Sequence, residues 1–160
     1  MFLGLIVSLL AVLTDQLSKL WILDNISADQ VIHLGGYANI IKVWNTGVSF
    51  SMLNGHGLLG TICLSVAALL ICAFLLYWMK KETQKVKILC LGFIIGGALG
   101  NVIDRINHGA VLDFLDFHYD GYHWPAFNLA DTYICIGAFI LICDELYHEY
   151  TKRKEKNENI

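Results

Sequence analysis

Apolar residues gather into four long runs, separated by shorter polar or aromatic segments. The first extends from Phe2 to Leu23 and is charged only at Asp15 and Lys19; the second, Gly57 to Met79, carries no charge. The third, Val86 to Ile103, is charged only at Lys87, and the fourth, Asn128 to Leu146, carries Asp131 near its start. About 20 apolar residues cross a bilayer core as a helix, so each run reads as a span. The first has no basic leading segment, and its two charges interrupt the apolar stretch, which favours a retained span over a cleaved leader. The expected fold is an all-α membrane protein, a four-helix transmembrane bundle in one domain over residues 1–150. Residues 151–160 form a polar tail, expected to fray.

The links between the runs set the orientation. Lys80, Lys81, Lys85 and Lys87 cluster between the second and third runs, and Lys152, Arg153, Lys154 and Lys156 lie in the tail. Basic segments stay in the cytoplasm, which puts both termini inside and links 24–56 and 104–127 outside. In the first outer link, Ile40 to Asn45 followed by Gly47, Phe50, Met52 and Leu53 suggests short strands, a small extracytoplasmic sheet on the membrane surface. The second is an aromatic loop, with Phe114, Phe117, Tyr119, Tyr122 and Trp124, side chains that favour the headgroup layer.

Composition agrees with lipid as the solvent: 56% of residues are hydrophobic and 16% charged, against about a quarter charged in a soluble domain. The mean hydropathy is +0.57. The net charge of -3, with no basic stripe, gives no reason to expect nucleic acid. The five cysteines lie inside apolar runs without a C-x-x-C pair, and read as small buried residues.

Ionisable residues inside spans mark functional sites by default. In this orientation Asp15, Asn101, Asp104, Asn128 and Asp131 collect towards the outer side, with Asp113 just beyond the third span. Each also has a plainer reading. Asp15 and Lys19 are an i,i+4 pair in the favourable order, and adjacent Asp104 and Arg105 read as an interfacial ion pair. Asn128 and Asp131 read as a helix cap with an acid in the first turn. Asp113, among Val111, Leu112 and Phe114, has no such explanation. The glycines Gly96, Gly97 and Gly100 read as helix-packing positions.

The serines have no recognisable base, and no metalloprotease or nucleophile-elbow pattern occurs. Asp113, Asp116, His118, Asp120 and His123 crowd one segment, but they alternate with aromatic residues on what reads as a loop, which is poor support for a metal. Neither a metal nor another cofactor is expected. Paired aspartates fit better: two close carboxyl groups share a proton, one accepting from water while the other donates to a carbonyl oxygen. Asp131, at a helix N-terminus, would be the ionised partner and Asp113, with apolar flanks, the neutral one. A four-span transporter would place its polar groups near the midplane, and a presenilin-type protease would need a G-x-G-D that is absent here.

Thr14-Asp15-Gln16-Leu17-Ser18-Lys19, Asn45-Thr46-Gly47-Val48-Ser49-Phe50-Ser51, Gly100-Asn101-Val102-Ile103-Asp104-Arg105, Val111-Leu112-Asp113-Phe114 and Phe127-Asn128-Leu129-Ala130-Asp131 occur in that order. Together they resemble the ordered motifs of bacterial lipoprotein signal peptidase, also called signal peptidase II. The resemblance implies an aspartyl endopeptidase of the bacterial cytoplasmic (inner) membrane. Such an enzyme removes the signal peptide from diacylglyceryl-modified prolipoproteins just before the lipidated cysteine. It implies that Asp113 and Asp131 are the catalytic dyad. Asn45, Gly47, Asn101, Arg105, Asn128 and Ala130 would shape the site and hold substrate, with Asp104 beside them and Asp15 and Lys19 in support. It further implies a four-helix bundle with a small outer β-cradle, contact with membrane lipid, inhibition by globomycin-type compounds, and no need for more than a monomer. The chain has Val48 and Ser49 where the family usually has alanines, and Thr132 where it usually has serine.

Overall fold

The computed structural model describes residues 1–47 and 57–158. Among them are four long helices and four strands: α1 (Phe2–Asn25), β1 (Ile32–His33), β2 (Ala38–Asn45), α2 (Gly57–Lys81), α3 (Lys85–His108), β3 (Val111–Tyr119), β4 (Tyr122–His123) and α4 (Leu129–Glu158). Three helical stretches, Phe2–Asn25, Leu59–Lys81 and Lys85–His108, are long and apolar enough to cross a membrane. In α4, Asp131, Asp144 and Glu145 interrupt the apolar run, so length and composition alone do not add it to the three.

The centre of the bundle is α3, which packs against each of the other helices. Its most apolar window is 67% buried, against 28% in α1 and 22% in α2. Lipid tails are as apolar as leucine, so helices associate in a bilayer through close packing and polar contacts rather than through a hydrophobic drive. Glycines on two sides of α3 provide that closeness. A Cβ at Gly92 would lie 2.7 Å from the carbonyl oxygen of Gly4, and one at Gly96 2.6 Å from that of Ser8, so this pair seats α1. On the α4 side a Cβ at Gly97 would come within 2.3 Å of the Ala130 carbonyl oxygen. The G-x-x-x-G spacing that packs α1 is therefore Gly92 with Gly96, while Gly100 stands over the Asp15 carboxylate. Away from the sheet, Cys72, Leu75 and Met79 of α2 pack on Ile88, Leu91 and Ile95 of α3.

The strands form one antiparallel sheet in the order β1-β2-β3-β4. Ile22 and Ile26, at the end of α1, pack beneath it against Leu112 and Phe114 of β3. The strand expected at Ile40 to Asn45 is all of β2 but its first two residues; Phe50, Met52 and Leu53 lie outside the described residues. The aromatic segment after α3 is not a loop. Gly109, at φ 73°, ends α3 in a left-handed cap, and the chain turns directly into β3. Asp120 (φ 48°) and Gly121 (φ 80°) then make a two-residue hairpin turn into β4, the Asp-Gly geometry that matches strand twist. The tail also differs from expectation, because α4 stays helical to Glu158. Glu149 and Arg153 pair along it at 3.6 Å, and glutamate and lysine are good helix formers.

Gly97→Ala is expected to force α3 and α4 apart and to cost about 1–3 kcal/mol. Thermal unfolding in detergent measures it. The same change at Gly36, which has open space around it, serves as the control and leaves the midpoint unchanged.

Candidate active site

The site grows from the first turn of α4. Asn128 caps the helix: its Oδ1 accepts from the Asp131 N–H at 2.9 Å, and its own N–H donates to Asp131 Oδ2 at 3.3 Å. This is a reciprocal capping box with an aspartate at the third position. The Asn128 amide group is free to do something else. Its Nδ2 donates to Asp113 Oδ1 at 2.7 Å and also approaches Asn101 Oδ1 at 3.1 Å and the Leu112 carbonyl at 3.3 Å. One wholly buried side chain thus touches both aspartates.

Asp113 reaches the site from β3, and its other oxygen, Oδ2, accepts from Asn45 Nδ2 at 2.9 Å. Asn45 lies opposite Val111, so Asn45 and Asp113 are diagonal neighbours on one face. Asn45 Oδ1 in turn accepts from the Gly47 N–H at 2.9 Å. Gly47 has φ 81°, a conformation that L side chains rarely adopt. Asp131 Oδ1 accepts from Asn101 Nδ2 at 2.7 Å. Both carboxylates are therefore held by amides, and among the described residues no cation bonds either directly.

The cation lies one step further in. Lys19, 3% exposed, bonds Asp15 Oδ2 and Asp104 Oδ2 at 2.9 Å each and donates to Asn101 Oδ1 at 3.1 Å. Its three ammonium hydrogens are thereby matched. Asp15 Oδ1 accepts from the Ala130 N–H at 2.9 Å, and Asp104 Oδ2 from the Leu112 N–H at 3.1 Å. Gln16 Nε2 lies within reach of Asp15, Asp104 and the Gly100 carbonyl, at 3.1, 3.0 and 3.2 Å.

Asp15 and Lys19 pair as their spacing suggested. Asp104 and Arg105 do not: neighbouring helix residues point about 100° apart, and Asp104 turns inward to Lys19. Arg105 bonds back to the Asn101 carbonyl at 3.4 Å and lines a groove with Asp131. Gln16 was not singled out beforehand, although it lies between Asp15 and Lys19 on the helix.

Asp116, His118, Asp120 and His123 do not join Asp113. Residues three apart on a strand face opposite ways, and Asp116 is taken up by Asn39 at 2.7 Å and His123 at 2.8 Å. Burial works to raise the Asp116 pKa, but the bonds from Asn39 and His123 hold it below the ordinary carboxylate value. Among the described residues no three His, Cys, Asp or Glu side chains converge as metal ligands.

A groove of about 390 Å³ opens beside Asp131. Its walls are Leu64, Ala67 and Ile71 of α2, Ile94 and Ala98 of α3, and Ile134 of α4; Asn101 and Arg105 join Asp131 at its polar end. Ile94 lies seven residues before Asn101, so the apolar part extends roughly 10 Å along the helices. A half-buried carboxylate, Asp131, at the polar end of an apolar groove, with the buried Asp113 behind it, in a bundle of helices long and apolar enough to cross a membrane, is an arrangement that suits a membrane enzyme.

Comparison with known proteins specifies which. The sequence profile described as signal peptidase (SPase) II matches residues 7–147, and the chain belongs to this family. It is 41% identical over 153 residues to a lipoprotein signal peptidase of Alteromonas mediterranea, covering 94% of this chain and 84% of that one. It is 46% identical over 143 residues to one of Ralstonia nicotianae, covering 84% and 79%. A solved bacterial membrane enzyme, determined at 2.3 Å, aligns with a TM-score of 0.81 at 27% identity, over 93% of this chain and 90% of that one.

Burial pushes the Asp113 carboxyl up to about 6; the Asn45 bond opposes the rise and the charge of Asp131 adds to it. The fold thus prefers neutral Asp113. Stability from this group is complete below the ordinary value of 3.8 and is lost as pH rises through about 6. A carboxyl titration followed by NMR is expected to give a midpoint near 6 for Asp113. Asn45→Ala, which removes a bond favouring the anion, should move it higher; a midpoint at 3.8 would contradict the assignment. Lys19→Leu strands Asp15 and Asp104 without their cation and is expected to cost about 3–5 kcal/mol in denaturant unfolding.

Proposed function

We propose that the chain is an aspartyl endopeptidase that cleaves diacylglyceryl-modified prolipoproteins just before the lipidated cysteine, with Asp113 and Asp131 as the catalytic dyad. The observation that carries this reading is Asn128, a buried residue that donates to both carboxyl groups, through its side-chain amide to Asp113 and through its backbone N–H to Asp131, with Asp131 at the polar end of an apolar groove. In this reading α4 is the fourth span, residues 1–150 form one peptidase domain, and both termini are cytoplasmic. The sheet and the dyad then lie at the outer face of the bacterial inner membrane. The lysines between α2 and α3 support that orientation. A monomer suffices, since every group invoked comes from one chain.

The roles follow from the surroundings. Asp131 sits in the first turn of α4 and accepts from Asn101, and it is assigned the base role. Asp113 is 2% exposed, and burial favours its protonated form by raising its pKa to about 6. Asp131 takes a proton from water as the water oxygen bonds to the scissile carbonyl carbon, and Asp113 gives its proton to the carbonyl oxygen. The tetrahedral intermediate then collapses. The C–N bond breaks, the leaving nitrogen takes the proton held by Asp131, and the proton on oxygen returns to Asp113. One water is consumed and both aspartates regain their starting states. Arg105 and Asn101, at the polar end of the groove, are placed to hold the substrate backbone, while the apolar walls take its lipid-embedded part.

Purified Asp113→Asn and Asp131→Asn variants are each expected to lose cleavage of a diacylated prolipoprotein by about a thousandfold or more. Near-normal cleavage by either would overturn the dyad. Wild-type activity should survive a metal chelator and be blocked by a globomycin-type compound. Strong loss with the chelator would argue instead for metal-assisted hydrolysis.

A further inference from the structure

The face of α4 turned away from the dyad carries a second polar contact with α1. Tyr133 lies two residues after Asp131, so its side chain leaves the helix about 200° around from the carboxylate. Its hydroxyl is 2.8 Å from Thr14 Oγ1. The direction of this bond follows from the partners of Thr14. The single threonine proton goes to the Leu10 carbonyl at 2.8 Å, so Thr14 accepts and Tyr133 donates. The Tyr133 ring also stacks on Phe93 of α3, with centroids 5.6 Å apart and planes at 12°. Tyr133 is thereby held from two sides, by α1 and by α3.

α4 is held chiefly by α3 and by the bonds of Asn128 and Asp131, but its direct contact with α1 is sparse. Beside the pair the two helices stand apart around an apolar gap of about 160 Å³ that includes Val7, Leu10 and Ala11. Among the described residues the other polar tie between them is the bond from the Ala130 N–H to Asp15. A backbone N–H near the axis of a helix is a weak lever against rotation, whereas a hydroxyl at the end of a tyrosine side chain is a long one. Thr14 faces out of the bundle, and with α1 read as a span that side meets lipid, where no water competes for the bond.

We propose that Tyr133, through its bond to Thr14, is a positioning residue that fixes the α1-facing side of α4 and so, together with the α3 packing, tunes the reach of Asp131 towards the scissile bond. This rests on the aspartyl reading above. The pair touches neither substrate nor the dyad, so its effect belongs in the chemical step and not in binding.

The test is steady-state cleavage of a diacylated prolipoprotein in proteoliposomes by wild type, Tyr133→Phe, Thr14→Val and the double variant. Tyr133→Phe keeps the ring stack and removes only the donor. Each single variant is expected to lose about tenfold in kcat, with KM unchanged within about twofold. The double variant should be no worse than the poorer single, and Thr14→Ser, which keeps an acceptor, should restore the rate. Wild-type kcat in both single variants, a loss confined to KM, or losses that multiply in the double variant would each overturn the proposal. If Tyr133→Phe does not fold, Thr14→Val against Thr14→Ser makes the same comparison. Asp131→Asn is measured alongside: if it is inactive while Tyr133→Phe is normal, the positioning role alone fails. If it is active, the aspartyl reading fails and takes the positioning role with it.

Discussion

Everything at the sheet end of the bundle depends on one ammonium group kept away from solvent. Lys19 is surrounded by Asp15, Asp104 and the Asn101 side-chain oxygen. Desolvating such a charge is costly, and mutual attraction offsets that cost only when the geometry is good and the remaining lone pairs are satisfied. Here they are, by the Ala130 N–H, the Leu112 N–H and the Gln16 amide. Those donors come from α4, from β3 and from α1. The requirement to satisfy a buried ion cluster therefore fixes where three separate elements lie. It also orients Asn101: with its oxygen turned to Lys19, its nitrogen is left to face Asp131.

Asn128 extends the same logic outward. A capping residue normally satisfies only the end of its own helix. Here the cap spends its oxygen on α4 and its nitrogen on Asp113, so the start of a helix and the middle of a strand share one side chain. The plain reading of Asn128 and Asp131 as a cap and the catalytic reading are the same geometry seen from two directions. Glycine contacts on α3 complete the arrangement by letting Ala130 come close enough to donate to Asp15.

The helical runs and the gathering of polar groups were legible in the sequence because a span admits so few charges that each one is conspicuous. The pairing of Asp15 with Lys19 followed from spacing alone. The strand nature of β3 was hidden because residues on both of its faces are buried near its start, which erases the alternation that reveals a half-exposed strand. Asp120-Gly121 was the available signal, a hairpin turn that would have converted the aromatic loop into strands. Asp104 was read with Arg105 because adjacency is visible in a sequence and side-chain direction is not. Gln16, Gly92 and Tyr133 act through partners on other helices, and nothing local distinguishes them.

The bond between the Ala130 N–H and Asp15 joins positions 115 residues apart. A ribosome-bound chain inserting from its N-terminus would have α1, α2 and α3 in the bilayer before the segment bearing Asn128 emerged. Until that last helix docks, Asp113 lacks its Asn128 donor, Asp15 lacks its backbone partner, and Asp131 is not yet beside Asn101. On the proposed dyad, a hydrolase assembled in this way would be silent throughout its own synthesis, and would gain the means to cut a peptide bond only with the final act of its folding.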